Sequence, residues 1–202
     1  MKKKIAISLM IVMLFLIVFS CDILKPPSDT IDYYPLQIGN EWHYYSPFAY
    51  RFYSDTTVFR VDSTKNVNGK IYFVINTFEP ISNTHYAQVC YREEEGILYQ
   101  LINNEDYVSI DFNNQVGEIW QRSPYLIYNK IVSKDDSINT NIGVIRNCFN
   151  ILSESEIDSS FALYAPNIGQ IMVKHYFKIG AIHDSSILIW AKIDNKKIII
   201  EY

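Results

Sequence analysis

The chain has 202 residues, and its 18 lysines and arginines against 22 aspartates and glutamates leave a formal net charge of −4. An acidic chain lacks the basic surface that holds nucleic acid, so nucleic acid is excluded as a partner. A hydrophobic fraction of 49% supplies a real core, and the length suits one domain rather than two.

The N-terminus matches a bacterial lipoprotein signal. Three lysines at positions 2–4 precede an uncharged, apolar run from Ile5 to Phe19. A run of roughly 15 residues suits the core of a signal peptide better than a membrane span, which needs roughly 20. We therefore predict a signal peptide over residues 1–20 that is cleaved between Ser20 and Cys21. An uncleaved membrane helix is the alternative.

Cys21 is the predicted membrane anchor. The preceding Val-Phe-Ser is typical of a lipobox, whose cysteine takes a thioether-linked lipid and becomes the first residue after cleavage. Several acyl chains, such as palmitate, hold a protein on a membrane nearly permanently. Removing residues 1–20 removes three lysines and no acid, which takes the net charge to −7. We expect an envelope protein anchored in the outer membrane.

Residues 21–32 follow as a lipidated tether, because they contain paired prolines and little that could pack. From Tyr33 onward, β-branched and aromatic residues recur in short runs separated by turn residues. Asn68-Gly69 is the clearest hairpin turn, since both residues accept positive φ angles. Two more turns and eleven strands are predicted: turns at 95–96 and 194–195, and strands at 58–62, 71–75, 86–92, 97–102, 107–112, 125–132, 144–152, 160–164, 170–178, 187–193 and 198–202.

This pattern predicts a single all-β domain over residues 33–202. A twisted antiparallel sheet of this size curls or splits into two layers. The predicted architecture is therefore a large curved antiparallel sheet, with a half-barrel, a barrel and a sandwich all left open. The runs 186–191 and 198–200 are apolar on both faces, so we expect those strands to be central or covered on both sides.

Two stretches, 37–42 and 115–120, share a glutamine, a β-branched residue, a glycine, two variable positions and a tryptophan. In each we predict a turn, at Gly39 or Gly117, that directs Trp42 or Trp120 into the core. Duplication of a half-domain, chance and repeated use of one type of corner all explain this echo.

Two motifs carry a resemblance to a family. The stretch 34–44, with Pro35, Gly39 and Trp42, and the stretch 164–171, with Pro166 and Gly169, resemble uncharacterised bacterial envelope lipoproteins. That group has Tyr-x-Pro-Leu-x-x-Gly-Asn-x-Trp and Tyr-Ala-Pro-x-x-Gly motifs. The resemblance implies no activity, cofactor or catalytic residue. From their residue types alone, these motif residues are predicted to be structural.

Cys90 and Cys148 are the remaining cysteines. An exported protein meets conditions in which disulfides form, so a Cys90–Cys148 bridge is one expectation. Two buried thiols are the favoured expectation, because each cysteine sits in an alternating apolar segment and a chain of this length does not need a covalent link.

No catalytic, metal or cofactor motif is present. The four histidines lack the spacing of a zinc site, and there is no Gly-x-Ser-x-Gly and no Asp-x-Asp-x-Asp calcium loop. The acidic run 93–95 before Gly96 is predicted to be a solvated hairpin tip. We expect no catalytic residues, no metal and no cofactor. The histidines in question are His43, His85, His175 and His183.

These observations favour a non-catalytic, membrane-anchored lipoprotein that carries an apolar or glycan ligand or docks on an envelope protein. A carrier requires a large apolar cavity. One alternative is a hydrolytic enzyme with a loop-built site, which requires a histidine and carboxylates in one cleft. Another is a purely structural interaction module, which requires an exposed apolar or tyrosine-rich patch.

Overall fold

The structure is a computed structural model that describes residues 32–45, 55–122, 126–177 and 183–200. The predicted signal peptide, the lipidation site and nearly all of the tether lie outside the described residues. The chain from Asp32 to Tyr202 forms one compact unit. Within the described ranges, no helix has the length and apolarity needed to cross a membrane.

The all-β prediction is confirmed. Thirteen strands and no helix occur among the described residues, and most follow the predicted runs with longer ends. The strands are β1 Glu41–Tyr45, β2 Thr56–Val67, β3 Lys70–Phe78, β4 His85–Glu94, β5 Ile97–Ile102, β6 Glu105–Asp111, β7 Ile119–Arg122, β8 Ile127–Thr140, β9 Gly143–Glu154, β10 Asp158–Ala165, β11 Gly169–Phe177, β12 His183–Ile193 and β13 Lys196–Ile199.

All strands belong to one antiparallel sheet, in which consecutive strands are neighbours from β1 to β6 and again from β7 to β12. β1 pairs with β12 and so joins the two series, whereas β6 and β7 are not paired. The sheet is therefore a nearly closed, barrel-like structure with one open seam between β6 and β7. Of the half-barrel, barrel and sandwich left open by the sequence, the barrel-like sheet is the one that forms.

The predicted hairpin turns are present. Asn68 and Gly69 both have positive φ angles, as do Glu95 with Gly96 and Asp194 with Asn195. Two consecutive positive φ angles belong to the turn type whose twist matches that of the flanking strands. Each turn therefore joins the adjacent antiparallel pair that the sequence predicted.

The two echoed stretches form equivalent corners. The Gly39 N–H donates to the Val61 carbonyl and the Gly117 N–H donates to the Ile131 carbonyl, both at 2.8 Å, and both glycines have a φ of +92°. The strand that accepts the bond has an irregularity in register just after the accepting residue in both cases. The two six-stranded series thus begin with the same local structure.

Two groups of buried side chains fill the interior. The larger group contains Trp42 and lies mainly on the side where β1 meets β12. The second group spans the open seam, because Leu98 and Ile110 of the first series pack with Ile131 and Ile151 of the second. Apolar contact therefore holds the seam together where backbone hydrogen bonds do not.

Side chains also bridge the seam. The Arg122 guanidinium of β7 donates to the Gln100 side-chain oxygen of β5 at 2.7 Å, and the Asn129 amide of β8 donates to the Ser109 carbonyl of β6 at 2.9 Å. These polar links occupy the place that ladder hydrogen bonds occupy in a closed sheet.

β12 is central, as its apolar sequence predicts. It pairs with β1 along one edge and with β11 and β13 along the other. Leu188 and Ala191 are fully buried, whereas Ile189 and Ile199 are 37% and 41% exposed. The outward face of these strands is therefore only partly covered.

The disulfide expected as one alternative is not formed, and Cys90 and Cys148 are both free thiols. Cys148 belongs to the larger core group, whereas the neighbours of Cys90, Val89 and Tyr91, are the ones that pack on that group. Because side chains alternate along a strand, Cys90 points to the other face of β4. The two thiols thus lie on opposite faces of the sheet.

Candidate functional site

The two family-like motifs meet in space. The Trp42 indole N–H donates to the Ile168 carbonyl at 2.5 Å, which joins the first strand to the turn between β10 and β11. The Asn40 side-chain amide donates to the Pro35 carbonyl at 2.9 Å and stiffens the chain just before β1. This arrangement holds the N-terminal stretch against the sheet, which is a structural role.

Gly169 is required at this junction. Its φ is +100°, and a Cβ at this position would lie 3.1 Å from Trp42 Nε1 and 3.6 Å from Pro35 Cδ. Asn167 also has a positive φ, of 59°, which asparagine tolerates better than most residues. Pro166, partly buried, lies in the turn that presents the carbonyl to Trp42.

The second corner lacks the partner that the first one has. Trp120 is half-buried, and its indole N–H is a buried donor with no acceptor in the described part of the chain. The equivalent tryptophan, Trp42, is 2% exposed and bonded. The two corners thus share a backbone conformation, but only the Trp42 indole N–H has a hydrogen-bond acceptor in the described part of the chain.

His43 and His85 each have a side-chain partner. His43 contacts Glu41 at 3.2 Å, but its ring stacks on Trp190 with the ring centroids 3.6 Å apart. Burial lowers the pKa of His43, and the Glu41 carboxylate opposes that shift. His85 contacts the Asn76 side chain at 3.1 Å. No histidine lines the interior cavity beside Arg122 and Asn129 or the shallow cavity beside Leu126 and Tyr128.

Among the residues that the structure describes, no group of three or more His, Cys, Asp or Glu side chains could hold a metal ion. The most tightly connected charged cluster centres on the buried Arg92, which contacts Asp106 at 2.6 Å and Glu94 at 2.6 Å. The Tyr72 hydroxyl also donates to Asp106, at 2.6 Å. This cluster links β3, β4 and β6, so every member has a structural partner.

The acidic hairpin tip is less solvated than the sequence predicts. Glu93 is half-buried and hydrogen bonds the carboxyl of Asp32, the first described residue. Burial, followed by the charge of Asp32, raises the pKa of Glu93 to about 8. The tip of this hairpin therefore contacts the start of the domain, where the tether ends.

Apolar side chains are exposed on the outward face of the β7–β8 edge. Ile119 and Leu126 are each 64% exposed and Tyr128 is 49% exposed. Gln121 pairs with Tyr128 in the sheet, which places Ile119 and Tyr128 on the same face. Leu126 and Tyr128 line a shallow groove of about 300 Å³ whose other wall is the segment 154–156. We call this groove, together with the exposed Ile119 of β7 on the same face, the β7–β8 groove.

The β7–β8 groove combines an apolar floor with an acidic wall. Glu154 and Glu156 are both exposed along that wall. β7 is also an end of the sheet, so its outer backbone edge pairs with no described strand. An exposed apolar patch beside an unpaired edge is a feature that soluble domains normally avoid unless it is used.

Comparisons with known proteins add little to this description. No protein-family model matches the chain, and no curated protein sequence matches it. Two solved structures are similar to it. One is a provisionally assigned exported protein with a YmcC-like fold from Bacteroides fragilis, with a TM-score of 0.48 and 14% identity over 83% of this chain and 99% of that one.

The other is a provisionally assigned lipoprotein from Parabacteroides distasonis, with a TM-score of 0.44 and 14% identity over 84% of this chain and 100% of that one.

The close packing of Gly169 against Trp42 and Pro35 allows the effect of an added methyl group to be predicted. We expect Gly169→Ala to lower the free energy of unfolding by about 2 kcal/mol more than Gly143→Ala. Gly143 has a similar φ, of +114°, but open space around its Cβ position. The control therefore shares the backbone strain and lacks the contact with Trp42. Urea unfolding of both variants measures the difference, and equal losses would contradict the steric role of the junction.

The Glu93–Asp32 contact predicts a pH dependence. The pKa of Glu93 is raised from 4.5 to about 8 in the folded protein, so the folded state holds the proton more tightly than the unfolded state does. Stability should therefore fall as pH rises from about 4.5 to about 8. We expect Glu93→Gln to flatten this slope in urea unfolding measured across that range. Glu95→Gln, at the exposed neighbouring position, should keep the wild-type slope, and an unchanged slope in Glu93→Gln would contradict the coupling.

Proposed function

We propose that this protein is a non-catalytic lipoprotein of the bacterial cell envelope, related to the group that its two motifs resemble. Cys21 anchors it, in the outer membrane, and its β domain docks on a neighbouring envelope protein through the β7–β8 groove. The observation that carries this proposal is the exposed apolar floor of that groove at the start of β8, one strand away from the unpaired edge of β7.

The filled interior favours docking over transport of a large apolar ligand. The cavity inside the domain has a volume of only about 100 Å³, whereas pockets for drug-sized ligands are roughly 300–1,000 Å³. Trp42, Ile75 and Leu188 occupy the interior and are almost completely inaccessible. This cavity is too small for a lipid chain.

The tyrosines at positions 33, 34 and 44 give little support to a glycan ligand. Stacking on a sugar requires an exposed ring face. Tyr33 and Tyr44 are only 7% and 5% exposed, and Tyr34 packs against Trp42 with the ring centroids 5.8 Å apart. These rings belong to the core of the domain rather than to its surface.

The chemistry of the groove indicates the chemistry of its partner. Leu126 and Tyr128 offer apolar contact area at the floor, and tyrosine is a residue that interfaces favour. Glu154 and Glu156 add negative charge at the rim, on a mature chain whose net charge is −7. The complementary partner is a protein segment that presents an apolar side chain flanked by lysine or arginine.

The lipid anchor is tested first. We expect the wild-type protein to remain in the membrane fraction after a carbonate wash, with acyl mass on the N-terminal tryptic peptide that begins at Cys21. Cys21→Ser removes the only thiol at the cleavage site and should abolish that mass, whereas Cys90→Ser should keep it. Mass spectrometry of the washed membranes makes the measurement. An unmodified peptide in the wild type would rule out the anchor.

Docking is tested by photo-crosslinking in intact cells. A photoreactive phenylalanine analogue at Tyr128 should give one defined crosslinked product, and the same analogue at Ile71, which is 58% exposed on β3, should not. Mass spectrometry should place the crosslink on a segment that carries an apolar residue beside lysine or arginine. Charge reversal through Glu154→Lys with Glu156→Lys should weaken the product strongly, because like charges would then face each other. Equal products from Tyr128 and Ile71, or no loss on charge reversal, would defeat the proposal.

A further inference from the structure

The inward face of the β7–β8 pair holds an unusual set of unsatisfied polar atoms. Trp120 Nε1, Arg122 Nε and Asn129 Oδ1 are all buried and have no hydrogen-bond partner within the described ranges. Trp120 and Asn129 are directly opposite each other in the pairing of the two strands. Buried polar groups are satisfied in the great majority of native structures, so a cluster of three suggests that a further molecule completes it.

Two of the three residues that carry these atoms line a cavity. Arg122 and Asn129 line the interior cavity of about 100 Å³, together with Ser109 of β6 and the side chains of Tyr91 and Tyr164. Asn129 is only 2% exposed, so its unpaired oxygen cannot be satisfied by bulk solvent. The cavity lies at the seam between β6 and β7, where no backbone ladder closes the sheet.

The cavity is electropositive. Arg122 has no carboxylate within 4.0 Å in the described part of the chain. Its hydrogen bonds there go to neutral groups, the side-chain oxygen of Gln100 at 2.7 Å and the hydroxyl of Tyr91. Burial raises the pKa of Tyr91 and of Tyr164, so both phenols stay protonated and uncharged at neutral pH. Arg122 is half-buried. A partly desolvated cation without a counter-ion has a free-energy cost, and a bound anion lowers that cost.

We propose that this cavity binds a small oxyanion, such as the carboxylate of an organic acid or a phosphate group. One oxygen accepts from Arg122 Nε, and a neighbouring hydroxyl or amine of the ligand donates to Asn129 Oδ1. A volume of about 100 Å³ corresponds to roughly three water molecules, so the ligand or its bound head group is of that size. This site is distinct from the β7–β8 groove, because side chains of a strand alternate and the groove lies on the outward face of the same two strands.

The test is side-chain NMR of the full-length protein in a neutral detergent. Sodium acetate and sodium phosphate are each titrated against sodium chloride at constant ionic strength. We expect the Arg122 Nε–H and the Trp120 indole N–H resonances to shift saturably, with a dissociation constant of about 1 mM or tighter for at least one of the two anions. The Trp42 indole N–H resonance should not shift, because this group is already bonded to Ile168. It therefore reports that the fold is intact. A response to acetate identifies a carboxylate ligand, and a response to phosphate identifies a phosphate group.

Matched variants make the result decisive. Arg122→Gln should weaken binding by about tenfold or more, since it removes a charge-assisted hydrogen bond. Arg146→Gln removes an exposed arginine of the neighbouring β9 and should leave binding unchanged. Arg122→Lys keeps the charge without the Nε donor and should bind with intermediate affinity. If neither anion produces a saturable shift, or if Arg122→Gln responds as the wild type does, the cavity holds water alone and the proposal is overturned.

Discussion

The fold depends on the pairing of the first strand with the last long one. β1 can pair with β12 only after about 140 residues of intervening chain have formed their own hairpins, so this contact has a large loop-closure cost. The Trp42–Ile168 hydrogen bond and the surrounding apolar group offset that cost at the same place. Without this closure, the two six-stranded series would be separate curved sheets, each with exposed edges.

The second seam shows what the sheet is like without such a closure. β6 and β7 are the strands equivalent to β12 and β1 in the two series, yet they are not paired. The bonded tryptophan of the first corner has a counterpart, Trp120, whose indole N–H has no acceptor within the described residues. Side chains rather than the backbone ladder span this gap, and the interior cavity lies beside it. The outward groove lies further from the gap, over β8 and the end of β9.

This asymmetry connects the fold to the proposed function. A fully closed sheet has no edge to offer a partner and no polar gap to hold a ligand. The β1–β12 pairing closes one side of the sheet and stabilises the domain. Exposed apolar groups and a cation, Arg122, without a counter-ion in the described part of the chain are therefore tolerated on the side of the open seam. Lipid attachment at Cys21 would add confinement to a membrane surface, where even modest contacts with a neighbouring protein become effective.

The sequence alone determined the local features of this protein. The strands and their order follow from period-2 alternation, and the hairpins follow from pairs such as Asn68-Gly69 and Asp194-Asn195, because backbone φ and ψ angles depend on neighbouring residues. The glycine corners at Gly39 and Gly117 could be predicted for the same reason. The predicted export signal is likewise a local feature, since the prediction depends on a short run of charge and hydropathy.

The tertiary structure alone decided which distant groups meet. The stretch at 115–120 matches that at 37–42, yet the sequence could not show that the Trp42 indole N–H has an acceptor whereas the Trp120 indole N–H has none among the described residues. It also could not show that Glu93 meets Asp32 or that Cys90 and Cys148 face opposite sides of the sheet. These outcomes depend on how accumulated twist brings strands far apart in the chain together. The open seam has the same origin, because closure of a sheet is a property of all its strands at once and is not encoded in any short segment.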